Sequence, residues 1–381
     1  MSQERFHYKT LEEVKERAEE LKVYLPFSSS TDILKTPLKV GNVTFHNRMG
    51  IAPMEGADSL EDGSPSDYTI RRYVNEAIGG SALIWFEAIS IVPEGRSSKT
   101  QLLLTEENVE SYKRMNEKIK EAGRKAYGFE PYLIMQANHS GRYSNPDNRP
   151  GQYGGNYENR TRLLKNGIKA AKVWEDENFQ VTCRLGIYDG YEYPWGFGVS
   201  EGSGLKPDLK EPIRLVKELY GNCGIQMMNL TMGNPYATTH VTRPFDMGKY
   251  EPEEHPFTGI GRMIAGIGEV KKAVPEMVIF GSAPTYLRQF ADLYTAGAVE
   301  EGFCDGMLFG RMAFADPDYA NEIIKNGRID PKRVCMTCGK CGDLIRAHKP
   351  TGCVIRDPKT FMPFYKEFLE IKKKQPANFR G

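Results

Sequence analysis

A short apolar run, a glycine-rich or polar loop and an amphipathic helix recur along this chain. The runs are Met49–Met54, Ala82–Ala88, Tyr132–Ala137, Phe179–Leu185, Ile225–Met232, Val278–Gly281 and Gly306–Phe309. Short runs without polar alternation suit strands covered on both faces, as in a parallel sheet. Strands alternating with helices over roughly 300 residues predict an α/β fold closed into a (β/α)8 TIM barrel. The open, doubly wound alternative lacks its strand–GxGxxG–helix unit. Ahead of the repeats, Leu11, Val14, Ala18 and Leu21 share one face of a helix predicted over Thr10–Lys22, and Gly41-Asn42 joins Leu38–Val40 to Val43–Phe45 as a hairpin.

The count falls one short: seven strands where the closed barrel needs eight. Between the third and fourth runs lie only the polar loop Ser140–Gly155 and one helix, Asn156–Trp174. A βα unit of roughly 30 residues is absent near residues 148–152. An omitted stretch, a deletion and a true seven-strand body would each give this pattern. The last is least favourable, because it leaves two strand edges with unpaired N–H and C=O groups at about 1–3 kcal/mol each. A spatial break between about Asn148 and Gln152 is expected.

Charge and cysteines narrow the function classes. Lys and Arg number 51 against 50 Asp and Glu, so a polyanion or an anionic membrane is not the expected partner. No apolar stretch reaches the roughly 18–20 residues of a membrane span, and Met1–Tyr24 lacks a signal peptide's apolar centre. A cytoplasmic protein is expected. Of seven cysteines, Cys183, Cys223 and Cys304 stand alone, while Cys335, Cys338, Cys341 and Cys353 crowd together in a C-x2-C-x2-C-x11-C pattern. Such clustering favours a metal site over disulfide staples, with zinc and a [4Fe–4S] cluster level on spacing alone. The expected division is residues 1–36 as helix and lead-in, 37–330 as barrel, and 331–381 as a cysteine-rich segment and tail.

In a barrel, chemistry gathers where the strands end. Here those ends read Ala52-Pro53-Met54-Glu55-Gly56, Trp85-Phe86-Glu87-Ala88, Gln136-Ala137-Asn138-His139-Ser140-Gly141-Arg142, Gly281-Ser282-Ala283 and Gly310-Arg311. A helix opens at Tyr153-Gly154-Gly155-Asn156-Tyr157-Glu158-Asn159-Arg160. From about Leu38 to Asp357 this combination resembles the old yellow enzyme family, in the branch of 2-enoate and 2,4-dienoyl-CoA reductases. The resemblance implies FMN. Ala52, Pro53 and Met54 would form a backbone shelf under the ring, and Ala88 would leave room at its edge. Gln136 would pair with N3–H and O4, and Arg184 would set a positive charge near N1 and O2, stabilising the reduced anion. Gly281, Ser282, Gly310 and Arg311 would receive the phosphate. Tyr153–Arg160 reads as a helix start capped by Asn156, and His139 as an orienting group.

The resemblance also tips the cysteines toward [4Fe–4S], since that branch carries a similar C-x2-C-x3-C-x11-C segment after its barrel. This chain has one residue fewer between the second and third cysteines. A one-electron cluster beside a flavin implies electrons arriving singly and leaving as hydride. Only 28 residues follow Cys353, so NAD(P)H is expected to act directly or through a separate flavoprotein or ferredoxin. The implied reaction is reduction of an activated C=C bond in an enoate, enone, dienoyl thioester, or tetrapyrrole- or steroid-like small molecule. A related branch oxidises amines, and a zinc-stabilised binding protein is the non-catalytic alternative; a homo-oligomer is compatible with either. The family's substrate-anchoring strand has no counterpart here. Tyr143 and Tyr193 are candidate proton donors, with Tyr191 and Trp195 at the mouth and residues 189–204 as a lid.

Overall fold

A computed structural model describes residues 4–141, 155–235, 237–248 and 250–374. The hairpin forms as expected: β1 (Leu38–Val40) pairs antiparallel with β2 (Val43–Phe45). Seven further strands, all parallel, make one sheet: β3 (Met49–Ile51), β4 (Leu83–Ser90), β5 (Tyr132–Asn138), β6 (Cys183–Gly186), β7 (Met227–Thr231), β8 (Val278–Gly281) and β9 (Gly306–Phe309). Each falls within or against an apolar run, though β3 stops at Ile51 and β6 begins only at Cys183.

The strand order is β5-β4-β3-β9-β8-β7-β6. First and last strands pair, with Gly50 opposite Leu308, so the sheet curls round on itself as a barrel does. Among the described residues it stays open between β5 and β6, where the sequence is one unit short. Burial follows that opening. All eight residues of β4 are buried, whereas Met135 on the edge strand β5 is 40 % exposed. The chain break expected near residues 148–152 lies outside the described residues.

Helices wrap the sheet in chain order: α1 (Leu11–Glu20), α2 (Asp67–Ile78), α3 (Val109–Tyr127), α4 (Tyr157–Lys172), α5 (Lys210–Gly221), the single turn α6 (Thr239–Thr242), α7 (Pro256–Ala273), α8 (Ala291–Glu300), α9 (Arg311–Ala315), α10 (Tyr319–Asn326), α11 (Lys340–Arg346) and α12 (Pro358–Lys374). Their starts are written locally. Thr10 and Glu13 close a capping box on α1, and the Asn156 side chain accepts the Asn159 N–H at the head of α4, as expected. In α3 the buried face is Tyr112, Met115, Ile119 and Gly123, a helical stripe turned to the sheet.

The hairpin plugs the amino-terminal mouth of the barrel. Leu38, Val40 and Phe45 form one cluster with Ala82, Leu83, Trp85, Met227, Phe280 and Leu308, and Phe45 meets Phe280 edge-on at 5.9 Å between ring centres. With that end filled, the carboxyl ends of the strands are the face left for chemistry. The cysteine-rich segment carries its own small core, Leu344, Val354 and Phe361, so α11 and α12 fold as a cap rather than trailing away. No helix among the described residues is long and apolar enough to cross a membrane.

Candidate functional site at the carboxyl ends of the strands

Parallel pairing brings the singled-out strand ends to one face. Ala88 lies opposite Gln136 on β4 and β5, and Arg184 opposite Asn229 on β6 and β7. Gly310 closes against the start of the barrel: a Cβ there would lie 2.9 Å from the Met54 Sδ and 3.7 Å from the Ala52 Cβ. Ala52, Pro53 and Met54 are half-buried, which suits a surface something flat rests on.

Two polar groups on this face keep bonding capacity that the protein does not meet. The Gln136 Oε1 is buried without a hydrogen bond, a state that costs about 1–3 kcal/mol unless a ligand relieves it. Arg184 donates from Nε to the Asn229 Oδ1 at 2.9 Å, and no carboxylate pairs with it among the described residues. Burial lowers its pKa to about 10, so the guanidinium still carries its charge at neutral pH. Asn229, which sequence reasoning missed, is wholly buried and ties three strands together. Its Nδ2 donates to the Phe280 carbonyl at 2.9 Å and to the Ser282 Oγ at 3.0 Å, and Ser282 in turn donates to the Leu230 carbonyl. Ser282 is thereby held next to Gly281, where a Cβ would meet the Met307 Sδ at 2.9 Å.

Between α2, β4 and the segment after β3 lies a buried ion cluster that the sequence did not announce. Arg72 on α2 donates to the Asp58 Oδ2 at 2.8 Å and to the Glu87 Oε1, with all three side chains almost inaccessible. Glu87 also accepts from the Gly56 N–H at 2.7 Å and from the Tyr73 hydroxyl, and Asp58 from the Thr69 hydroxyl. Two more acids crowd in. Burial, with Glu87 adding like charge, raises both Glu55 and Glu76 to about 8. One arginine thus serves two carboxylates, and burial raises Glu87 as well as the two further acids.

Arg311, next to Gly310, also borders a second space. It is buried at the head of α9, donates from Nη2 to the Pro244 carbonyl at 2.8 Å, and lines a cavity with Cys335, Cys338, Cys341 and Cys353. All four clustered cysteines therefore share one space. Among the described residues no three His, Cys, Asp or Glu side chains converge on an ion-sized point. Backbone N–H groups already face two of the sulfurs: Thr337 donates to the Cys335 Sγ and Arg356 to the Cys353 Sγ. Burial pushes the Cys335 thiol up to about 12 and Cys353 to about 11. A second guanidinium, that of Arg243, is buried beside Cys341. The loop is pinned by Asp246, which accepts from the Thr337 hydroxyl, Arg288 and the Phe6 N–H. Asp246, Arg243 and Arg288 carried no local sequence signal.

The remaining expectations divide. His139 is exposed, and its Nδ1 accepts the Gly141 N–H, an orienting role within its own turn. Tyr143 and Tyr153 lie outside the described residues. In the 189–204 loop, Tyr193 is 54 % and Trp195 81 % exposed. The loop is folded back by Asp189, whose N–H donates to the Phe197 carbonyl while its carboxylate accepts the Phe197 N–H. Its aromatic tips face solvent.

The family model for NADH:flavin oxidoreductases and NADH oxidases matches residues 33–152, the stretch that supplies Ala52–Met54, Ala88 and Gln136. An NADPH dehydrogenase of Bacillus subtilis is 32 % identical over 111 residues, 29 % of this chain and 31 % of its own length. Over this stretch the chain is similar to the NADH:flavin oxidoreductase and NADH oxidase family. It spans about a third of the length of such curated relatives. Among solved structures, a 2-naphthoyl-CoA reductase complex superposes with a TM-score of 0.68 at 17 % identity, over 89 % of this chain and 58 % of that one. The old yellow enzyme homologue from Zymomonas mobilis superposes with a TM-score of 0.51 at 16 % identity, over 78 % of this chain and 94 % of that one. At these identities the superpositions speak for the fold.

Proposed function

We propose that this chain is an FMN-dependent ene-reductase whose electrons pass through a [4Fe–4S] cluster. The observation that carries the reading is a pair of groups at the two edges of the barrel opening: the orphaned Gln136 Oε1, and the Arg184 guanidinium, bonded to Asn229 but without a carboxylate partner among the described residues. An isoalloxazine edge offers N3–H to the first and a charge-bearing N1–C2=O2 to the second. Ala52, Pro53 and Met54 would carry the ring, and Gly281, Ser282 and Gly310 would approach the phosphate with backbone N–H groups. Bound there, FMN supplies hydride to an electron-poor C=C bond. The protein's share would be to hold the ring at these residues and to keep the Arg184 charge beside it.

The four cysteines line one shared space, and the resemblance of their spacing favours an iron–sulfur cluster there over zinc. Arg243 and Arg311 supply positive charge that favours a bound anionic thiolate cluster. Arg311 belongs to both neighbourhoods, following Gly310 at the strand end and lining the cysteine cavity.

Anaerobic purification followed by a visible spectrum and an iron, sulfide and flavin assay tests the cofactors. Flavin bands with a broad iron–sulfur shoulder are expected, the shoulder disappearing in Cys338→Ser. A colourless protein holding stoichiometric zinc would refute the reading. Adding NADH, then a small amine such as histamine, identifies the donor: bleaching by the amine alone would favour amine oxidation over ene-reduction.

A further inference from the structure

Successive residues of a strand face opposite sides of the sheet, and on β7 the packing shows which side is which. Met227 joins the cluster that the hairpin closes at the amino-terminal mouth, while Met228 and Leu230 pack outward into the core shared with Ile264 of α7. Asn229 and Thr231 therefore stand with Met227 on the inner face of the barrel. Asn229 fits this placement, bonding to Arg184 on one side and to Ser282 on the other.

Thr231 is the last residue of β7, one pleat nearer the carboxyl face than Asn229. Its backbone is held: it pairs with Gly186 on β6, and its carbonyl accepts the Ile187 N–H at 2.9 Å. Its hydroxyl is not. Thr231 is 4 % exposed, and its Oγ1 is buried without a hydrogen-bond partner. Buried hydroxyls in folded proteins are nearly always bonded, so one left over asks for a partner from outside the chain. Space for that partner lies across the strand pair. Gly186 is half-buried on the same inner face, and a Cβ added there would meet nothing within 4 Å.

The order of strands says which part of a flavin comes here. On the reading above, Gln136 on β5 and Arg184 on β6 take the ring, and Ser282 on β8 and Gly310 on β9 take the phosphate. β7 lies between β6 and β8. The part of FMN between ring and phosphate is the ribityl chain, whose hydroxyls both donate and accept. Resting on that reading, we propose that Thr231 hydrogen-bonds a ribityl hydroxyl of FMN, so that this rim selects a flavin carrying the sugar-alcohol chain over the bare ring.

The test compares flavins on one protein. Flavin is washed from the anaerobically purified holoenzyme with potassium bromide, and the protein is titrated with FMN, riboflavin and lumiflavin while quenching of flavin fluorescence is followed. Thr231→Val keeps the shape of the side chain and removes the hydroxyl. It should raise the Kd for FMN and for riboflavin by roughly three- to ten-fold, the size of one net hydrogen bond between neutral groups. The Kd for lumiflavin, which has the ring without the ribityl chain, should not change. Thr231→Ala should discriminate the flavins in the same way, and Thr231→Ser, which keeps the hydroxyl, should bind FMN as wild type does. Without flavin, Thr231→Val should unfold in urea at or above the wild-type midpoint, because the lost hydroxyl had no partner there. Equal weakening of FMN and lumiflavin, or an FMN Kd within about two-fold of wild type in both Thr231→Val and Thr231→Ala, would overturn the ribityl contact and leave flavin binding standing. Wild-type protein that quenches none of the three flavins would bring down the flavin reading, and this contact with it.

Discussion

Replacing Arg72 with Met should be among the most damaging single changes in the barrel, and damaging in a pH-dependent way. The side chain is 7 % exposed and its two carboxylate partners 1 % each. Removing one member of such a buried set leaves uncompensated charge, at a cost of about 3–5 kcal/mol. The variant can shed part of that cost by protonating Glu87, which burial already pushes upward. Its folded-state pKa would then lie above the unfolded one, so the native state binds more protons and stability falls as pH rises. The deficit should therefore be full near pH 8 and shrink on acidification by on the order of 1 kcal/mol per pH unit for each carboxylate that gains a proton. Urea unfolding followed by circular dichroism at both ends of that range measures it. Arg71→Met is the control, since its Asp357 partner sits at a half-exposed site and the pair should contribute less than about 1 kcal/mol. An Arg72→Met deficit no larger than that of Arg71→Met, or one indifferent to pH, would refute the argument.

Other expectations follow from the same geometry. Glu76 has one carboxyl oxygen without a partner and a pKa raised from 4.5 to about 8. Its neutral form is the one the fold accepts, so its favourable contribution is present at low pH and is lost as pH climbs toward 8. Glu76→Gln should match wild type near pH 5 and exceed it near pH 8, flattening the denaturation midpoint by up to about 1.4 kcal/mol per pH unit. Arg184→Met should lower the flavin midpoint potential by roughly 30–60 mV in a dye-coupled reductive titration, the equivalent of a charge-assisted hydrogen bond of about 1.5–3 kcal/mol; an unchanged potential would place the flavin elsewhere. Gly79→Ala should destabilise the α2–α10 junction by at least about 1–3 kcal/mol in urea, because the new Cβ would fall 1.7 Å from the Pro317 carbonyl oxygen.

Much of the architecture was legible because strand and helix signals are local. A run such as Val278–Gly281 needs only its own apolar residues and flanking turns to be recognised, and it matches its strand residue for residue. The hairpin likewise carries its turn in Gly41-Asn42. The boundary errors fall where tertiary context sets the end. Phe179, counted with the fourth run, is 49 % exposed, and the strand begins four residues later at Cys183, opposite Met228.

By itself, then, the order of residues determined the alternation of strands and helices, the missing unit after the third barrel strand, the cysteine spacing, and the strand-end motifs that carry the family resemblance. Each is a pattern among neighbours in the chain. Only the tertiary structure decided that the opening lies between β5 and β6, that Asn229 ties Arg184 to Ser282, and that Arg311 borders the cysteine cavity. It alone gathered Glu55, Asp58, Arg72, Glu76 and Glu87 around a single positive charge. The physical reason is that a charge's ionisation depends on which groups share its low-dielectric surroundings, and residues from separate strands and helices become neighbours only when the sheet curls.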